Sequence, residues 1–189
     1  DPDMIAVVAA EGGATQRFPS MHGRIWWPRW SPSGEFILFS WSRPGRHFES
    51  WLQPVAGGAP LPLLAGDSPV GLLAQPAWST DGQRIGHVAG SSVSVLDLQT
   101  GVSAEILWDR EGGVEDFAWD SASGSIVYGS LRSSSRHLFL YRPVQDLWCS
   151  IPGTGELNAS TPTWLVPERS LVFSGRTGGR RLYRIDLGN

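Results

Sequence analysis

The residues with the clearest chemical potential are arginines that recur in pairs around short loops. All 15 basic residues of the 189-residue chain are Arg, and none is Lys. Three pairs read Arg43-Pro-Gly-Arg46, Arg132-Ser-Ser-Ser-Arg136 and Arg176-Thr-Gly-Gly-Arg180. A guanidinium group donates two parallel hydrogen bonds to a carboxylate or a phosphate. The pairs therefore predict a surface that recognises acidic groups on a partner, and the alternative is that they are solvated or pair with nearby acids.

Aromatic residues supply a second candidate for partner binding. The chain has 10 Trp, and two of them are adjacent at Trp26-Trp27. Exposed aromatic side chains are typical of protein or carbohydrate interfaces. The pair is therefore added to the predicted partner-binding residues, and the alternative is that it packs between sheets.

Metal and cofactor chemistry finds little support. The acidic segment 109–120 offers carboxylate oxygens, but it lacks the alternating spacing of a calcium-binding EF-hand loop, and Gly112-Gly113 interrupts it. No two histidines share the short spacing of a zinc site. The four are His22, His47, His87 and His137. We therefore predict no metal and no cofactor.

Catalytic signatures are also missing from the sequence. The Gly-x-Ser-x-Gly elbow of α/β-hydrolases does not occur, and Cys149 is the only Cys. No Gly-rich loop with the spacing of a phosphate-binding loop leads into a helix. The chain itself is therefore predicted not to be an enzyme.

The net charge and the hydropathy of the chain limit the kinds of partner that it can bind. The formal net charge of −3 provides no basic field for nucleic acid. The longest apolar run, residues 4–10, is far shorter than the roughly 20 residues of a membrane-spanning helix. We therefore predict neither nucleic-acid binding nor direct membrane insertion.

The elements that position these residues come from an internal repeat. Trp30, Trp78, Trp119 and Trp164 recur at intervals of 48, 41 and 45 residues. Each is followed by turn residues and then by a short β-rich run, such as Phe36-Ile-Leu-Phe39. Runs of this length bounded by Gly, Pro and Ser are typical of strands.

Each repeat is long enough for a four-stranded antiparallel meander. Meanders repeated every 40 to 45 residues are typical of propeller blades, since a single small sheet cannot bury both faces. The recurrent Trp suits the gap between neighbouring sheets. The fold class is therefore predicted as all-β, with about four to five blades.

Strand parity then places the loops. In a meander, the loop after the second strand and the connection between blades emerge on the same face. All three Arg-bearing loops follow a second strand, so we expect them on one face, together with Trp26-Trp27 and the acidic connection Asp109–Asp116.

The repeat resembles that of TolB-like β-propellers. The closest matches are Trp30-Ser-Pro-Ser-Gly34, Trp78-Ser-Thr-Asp-Gly82 and Asp97-Leu-Gln-Thr-Gly101. The resemblance covers residues 4–188, and residues 1–189 are interpreted as one propeller domain or an arc of a larger propeller. The expected blades are residues 1–23 as a half, 24–67, 68–112, 113–155 and 156–189 as a partial blade.

The resemblance implies a non-catalytic module for protein–protein interaction or scaffolding in an extracytoplasmic setting, periplasmic or secreted. Its partner would be another protein, or a second chain that completes the propeller. Two alternatives stay open. In the first, the chain is the substrate-gating propeller of a prolyl-oligopeptidase-type serine peptidase. In the second, it is the ligand-sensing domain of a membrane-anchored regulator.

Overall fold

The computed structural model describes residues 3–43, 48–63, 74–165 and 170–187. Regular structure in these ranges is antiparallel β-sheet, apart from one short 3-10 helix at Pro143–Gln145. The all-β class is therefore confirmed. The chain divides into two compact units, residues 1–78 and 79–189. Within the described ranges, no helix has both the length and the apolar composition needed to cross a membrane.

The first unit contains a two-stranded sheet, the first blade and one further strand, β7 (Ala74–Trp78). Its buried core is formed by Ile5, Phe18, Ile37, Phe39 and Trp41. The strands are β1 (Ala6–Val7), β2 (Gln16–Arg17), β3 (Arg24–Trp30), β4 (Phe36–Ser42), β5 (Phe48–Pro54), β6 (Leu61–Pro62) and β7 (Ala74–Trp78).

The second unit contains the remaining ten strands. Its core includes Leu138, Leu171 and Phe173, which are almost fully buried. The strands are β8 (Arg84–Ala89), β9 (Ser92–Asp97), β10 (Ser103–Trp108), β11 (Asp116–Asp120), β12 (Ser125–Arg132), β13 (Ser135–Arg142), β14 (Leu147–Ser150), β15 (Ser160–Leu165), β16 (Ser170–Arg176) and β17 (Arg180–Asp186).

Each sheet is a meander of strands that are consecutive in sequence. The first blade is β3–β6, the second β7–β10, the third β11–β14 and the fourth β15–β17. The predicted four-stranded meander is thus confirmed in three blades, and the fourth has three strands in the described part of the chain. Gly34 and Gly82 close the predicted turns at φ 74° and 70°, a conformation that glycine adopts without strain.

The recurrent Trp packs between neighbouring blades in the second unit. The indole of Trp119 lies over Gly86, where a Cβ would come within 3.0 Å of the ring. The Nε1–H of Trp164 donates to the Ala118 carbonyl at 3.1 Å. Trp30 differs, because 51% of it is exposed. The sheet before it consists of only the short strands β1 and β2 in the described residues, so it offers this indole little surface.

Candidate functional site

The third-blade hairpin, β12–β13, carries the first fully described pair of loop arginines. Its two central residues, Ser133 and Ser134, have φ of 47° and 73°. Positive φ at both positions is typical of the tight turn that matches the twist of a β-hairpin. Arg132 therefore lies opposite Ser135 at the end of the ladder, and Arg136 opposite Leu131.

Arg132 contacts the acidic connection. Asp116, the last residue of the predicted connection, is the first residue of β11, so the name is used from here for residues 109–115, which join β10 to β11. Its Nη2 donates to both carboxylate oxygens of Asp109 at 2.8 Å, and its Nε lies 3.3 Å from a carboxylate oxygen of Glu111. The guanidinium also stacks over Phe139, at 4.8 Å from the ring centre. Since the Asp109 side chain is only 4% exposed, this is a largely buried ion pair.

Backbone geometry holds the acidic connection against the hairpin. The N–H groups of Glu111 and Gly112 donate to the Asp109 carboxylate. A Cβ at Gly112 would overlap the Leu131 carbonyl and the Arg132 guanidinium, so only glycine permits this approach. Burial on its own would raise the pKa of Asp109, but hydrogen bonds from Ser130 and Arg132 outweigh it and lower the pKa.

Arg136, at the other end of the loop, also has an acid partner. It forms an ion pair with Glu115 of the acidic connection. Its backbone N–H donates to the Asn158 Oδ1 at 2.9 Å, and its carbonyl accepts from the Ala159 N–H. These bonds fasten the polar connection, residues 151–159, to the start of β13.

The fourth-blade hairpin, β16–β17, presents its arginines differently. Arg176 and Arg180 are direct cross-strand partners on either side of the Thr177-Gly178-Gly179 loop. Directly opposite residues of an antiparallel pair project from the same face of the sheet. Both are exposed, and neither takes part in an ion pair within residues 3–43, 48–63, 74–165 and 170–187.

The two hairpins and the polar connection enclose a cavity of about 220 Å³, called here the blade-4 cavity. Its polar lining combines guanidinium, amide and hydroxyl groups, from Arg136, Asn158, Ser160, Ser174, Arg176 and Arg180. Every one of these groups can donate a hydrogen bond. The cavity is therefore positively charged and rich in donors.

A hydroxyl network forms the inner side of the cavity. The Ser174 Oγ lies 3.0 Å from the Ser160 Oγ and 2.9 Å from the Thr161 Oγ1. Thr161 occupies a bulge in β15 with φ 52°, and its N–H donates to the Asp116 Oδ2 at 2.6 Å. Burial raises the pKa of Asp116, and the Thr161 N–H and the charge of Arg136 oppose this only in part.

The first unit holds the remaining predicted residues that the structure describes. Arg43 pairs with Glu49 at 2.9 Å and lies over the Trp41 ring at 4.6 Å. Trp26 and Trp27 stand 5.9 Å apart between ring centres, and Trp26 is 38% exposed. Arg46 and His47 lie outside the described residues.

The three described histidines differ in their surroundings. His87 is completely buried, and burial lowers its pKa to about 4. His137 stands beside Phe139 and within 3.3 Å of the Ser135 Oγ, whereas His22 is exposed. The part of the chain that the structure describes contains no group of three or more His, Cys, Asp or Glu able to hold a metal ion.

Comparison with known proteins finds solved structures of similar fold, but no family model or curated protein that matches in sequence. TolB from Acinetobacter baumannii superposes with a TM-score of 0.77 at 15% identity, covering 97% of this chain and 46% of that one. A TolB structure from Agrobacterium tumefaciens gives 0.74 at 16%, covering 92% and 62%. The fold is a TolB-like β-propeller.

The TolB-like fold is shared with proteins of other activities. An oligogalacturonate lyase in complex with manganese superposes with a TM-score of 0.66 at 14% identity, covering 100% of this chain and 59% of that one. The chain thus spans less than two thirds of each of these structures. At such low identities the likeness establishes the fold alone.

Within this TolB-like propeller, the structure brings together three of the predicted arginines, Arg136, Arg176 and Arg180. Arg132 lies instead along a groove of about 450 Å³ with Trp108 and Trp148. Prediction from sequence did not include the neutral polar residues of the blade-4 cavity, Asn158, Ser160 and Ser174.

Proposed function

We propose that the propeller is a non-catalytic module that binds a protein partner through the loops bearing Arg136, Arg176 and Arg180. The observation that carries this proposal is the Arg176–Arg180 pair, two exposed positive charges placed opposite each other. Like charges in that position destabilise a hairpin, so they are favourable only when something else neutralises them. A partner with acidic surface groups would neutralise the two arginines, and the attraction between opposite charges would speed its association.

Site-specific photocrosslinking in the native cells tests the proposal. A photoreactive amino acid replaces Thr177, at the tip of the fourth-blade hairpin, or Val144, which is 86% exposed at the third-to-fourth-strand turn of the third blade. We expect one protein to be crosslinked from position 177 and not from position 144. The crosslink should disappear in Arg176→Glu/Arg180→Glu, provided the circular dichroism spectrum and the melting temperature are unchanged.

Two results would contradict the proposal. The first is no crosslinked protein at position 177, or the same proteins at both positions. The second is a crosslink at position 177 that survives the double charge reversal, since the partner would then be recognised by other groups.

A second candidate function is supported by one comparison. Puromycin hydrolase superposes with a TM-score of 0.65 at 17% identity, covering 91% of this chain and 28% of that one. The propeller would then be part of a larger hydrolase and gate access to its active site. The full gene sequence tests this, because a hydrolase domain with a nucleophile elbow encoded together with the propeller would support it and its absence would exclude it.

Location and assembly belong to the same proposal. An interaction module of this kind is expected in the periplasm or outside the cell, which fractionation of the native cells measures. The other expected partner is a second chain that completes the propeller. The mass of the protein in solution tests this assembly, because a stable monomer would contradict completion of the propeller by a second copy of the chain.

A further inference from the structure

We propose that the blade-4 cavity is a binding site for an oxyanion, a carboxylate or a phosphate, held between Arg176 and Arg180. The inference rests on the proposed function for its biological partner and identifies the chemical group that the partner presents. It separates these two arginines from the other predicted ones, because only they combine exposure with the lack of an acid partner among the described residues.

Charge is the first argument. Arg176 and Arg180 face each other across the last rung of the β16–β17 ladder, so their guanidinium groups repel. Arginine does not lose its proton in proteins, so the repulsion is not relieved by deprotonation. An anion between them replaces this repulsion with two charge-assisted hydrogen-bonded contacts, which are about twice as strong as neutral ones.

Neutral donors complete the site. The Asn158 Oδ1 already accepts the Arg136 N–H, so its amide NH₂ group is the part of the side chain that remains to donate. The Ser160 and Ser174 hydroxyls lie in the same lining. The Ser174 Oγ donates to the Ser160 carbonyl at 3.1 Å, so the Ser160 hydroxyl is the donor in the contact between the two side chains. A hydroxyl rotates to suit its acceptor, and Ser160 can redirect this donor to a bound oxygen.

The cavity also has a suitable size. Its volume is about 220 Å³, several times the roughly 30 Å³ that one water occupies in the liquid. A carboxylate or phosphate group fits together with part of the molecule that carries it. The hairpin loop beside it contains Gly178-Gly179, which leaves the approach open.

The acids that contact Arg136 and Thr161 have other roles. Glu115 forms an ion pair with Arg136 of the third-blade hairpin. Asp116 is buried beneath the hydroxyl network, where its carboxylate accepts the Thr161 N–H. The charge of Arg176 and Arg180 therefore remains available to an external anion.

Isothermal titration with inorganic phosphate and with glutarate, at low ionic strength, tests the site. We expect saturable binding of one anion per chain by the wild type. Arg176→Gln and Arg180→Gln should each weaken it by at least about tenfold, the loss expected for a charge-assisted hydrogen-bonded contact. Comparing the two ligands distinguishes the source, since a site for partner carboxylates favours glutarate and a phosphate site favours phosphate.

Arg181→Gln is the matched control. It removes the same charge from the same hairpin, but neighbouring residues of a strand project from opposite faces, so Arg181 points away from Arg180. We expect it to change the affinity less than about twofold, the small effect of a screened surface charge.

The inference is overturned if neither anion binds saturably, or if Arg181→Gln weakens binding as much as Arg180→Gln does. The second result would mean general attraction by the positive hairpin. Anion binding without any crosslinked protein would retain this inference and contradict the proposed function. A partner crosslinked at position 177 without anion binding would retain the proposed function and contradict this inference.

Discussion

The third- and fourth-blade hairpins occupy the same place in their repeats and carry arginines at both ends of their loops, yet their electrostatics are opposite. In the third blade, Asp109 and Glu111 engage Arg132, and Glu115 engages Arg136. In the fourth blade, Arg176 and Arg180 have no such partner in the described residues. The repeated spacing is thus compatible with two roles, one structural and one suited to binding.

The connection that precedes each blade accounts for the difference. The acidic connection, 109–115, supplies three carboxylates to the hairpin beside it, and Gly112 allows it to approach closely. The polar connection, 151–159, contains a single acid, Glu156, which is exposed and has no ion pair within the described ranges. A loop arginine in this fold is therefore best interpreted together with the connection that precedes its blade.

Removing the Asp109 carboxylate from the third blade should give the largest change in the free energy of unfolding. We expect Asp109→Ala to lower the free energy of unfolding by about 3 to 5 kcal/mol, because it leaves the partly buried Arg132 without its main partner. Urea unfolding measures this. Glu111→Ala is the control and should cost less than about 0.5 kcal/mol, since the side chain of Glu111 is 80% exposed. Equal losses in the two variants would show that burial does not distinguish the two acids.

The contribution of the Asp109 charge to the free energy of unfolding should change with pH, and this is a smaller effect. The pKa of Asp109 in the folded protein lies below its ordinary value of 3.8, so its charge stabilises the fold above about pH 4. This contribution is lost as the pH falls below 3.8 and through the folded-state pKa. We expect the difference in unfolding free energy between the wild type and Asp109→Asn to shrink over that range. A constant difference would contradict a lowered pKa.

Relieving the repulsion in the fourth blade should give the smallest effect, with the opposite sign. We expect Arg180→Gln to raise the free energy of unfolding by about 0.2 to 1 kcal/mol at low salt, with the gain vanishing at high salt. Thermal and urea unfolding at two ionic strengths measure it. Arg136→Gln is the comparison and should lower stability, because it removes the ion pair with Glu115. A loss of stability in Arg180→Gln would mean that this arginine already has a stabilising role without a ligand.

Much of the fold is predictable from local pattern. The recurrent Trp, the turn glycines and the short β-rich runs are read within one repeat, and they correctly indicate antiparallel meanders. Trp30 shows the limit of this reasoning, because its exposure depends on the sheet in front of it rather than on its own repeat. The neutral polar residues of the blade-4 cavity were missed for the same reason, since Ser160 and Ser174 are distinguished only by their neighbours.

The sequence by itself determined the all-β class, the blade meanders and the placement of arginines at the ends of hairpin loops. These follow from periodicity and turn chemistry, which act over a few residues. Only the tertiary structure decided which arginines are neutralised. Arg132 meets Asp109 across 23 positions of sequence at 2.8 Å, and Coulomb energy and hydrogen bonding depend on such distances rather than on spacing along the chain.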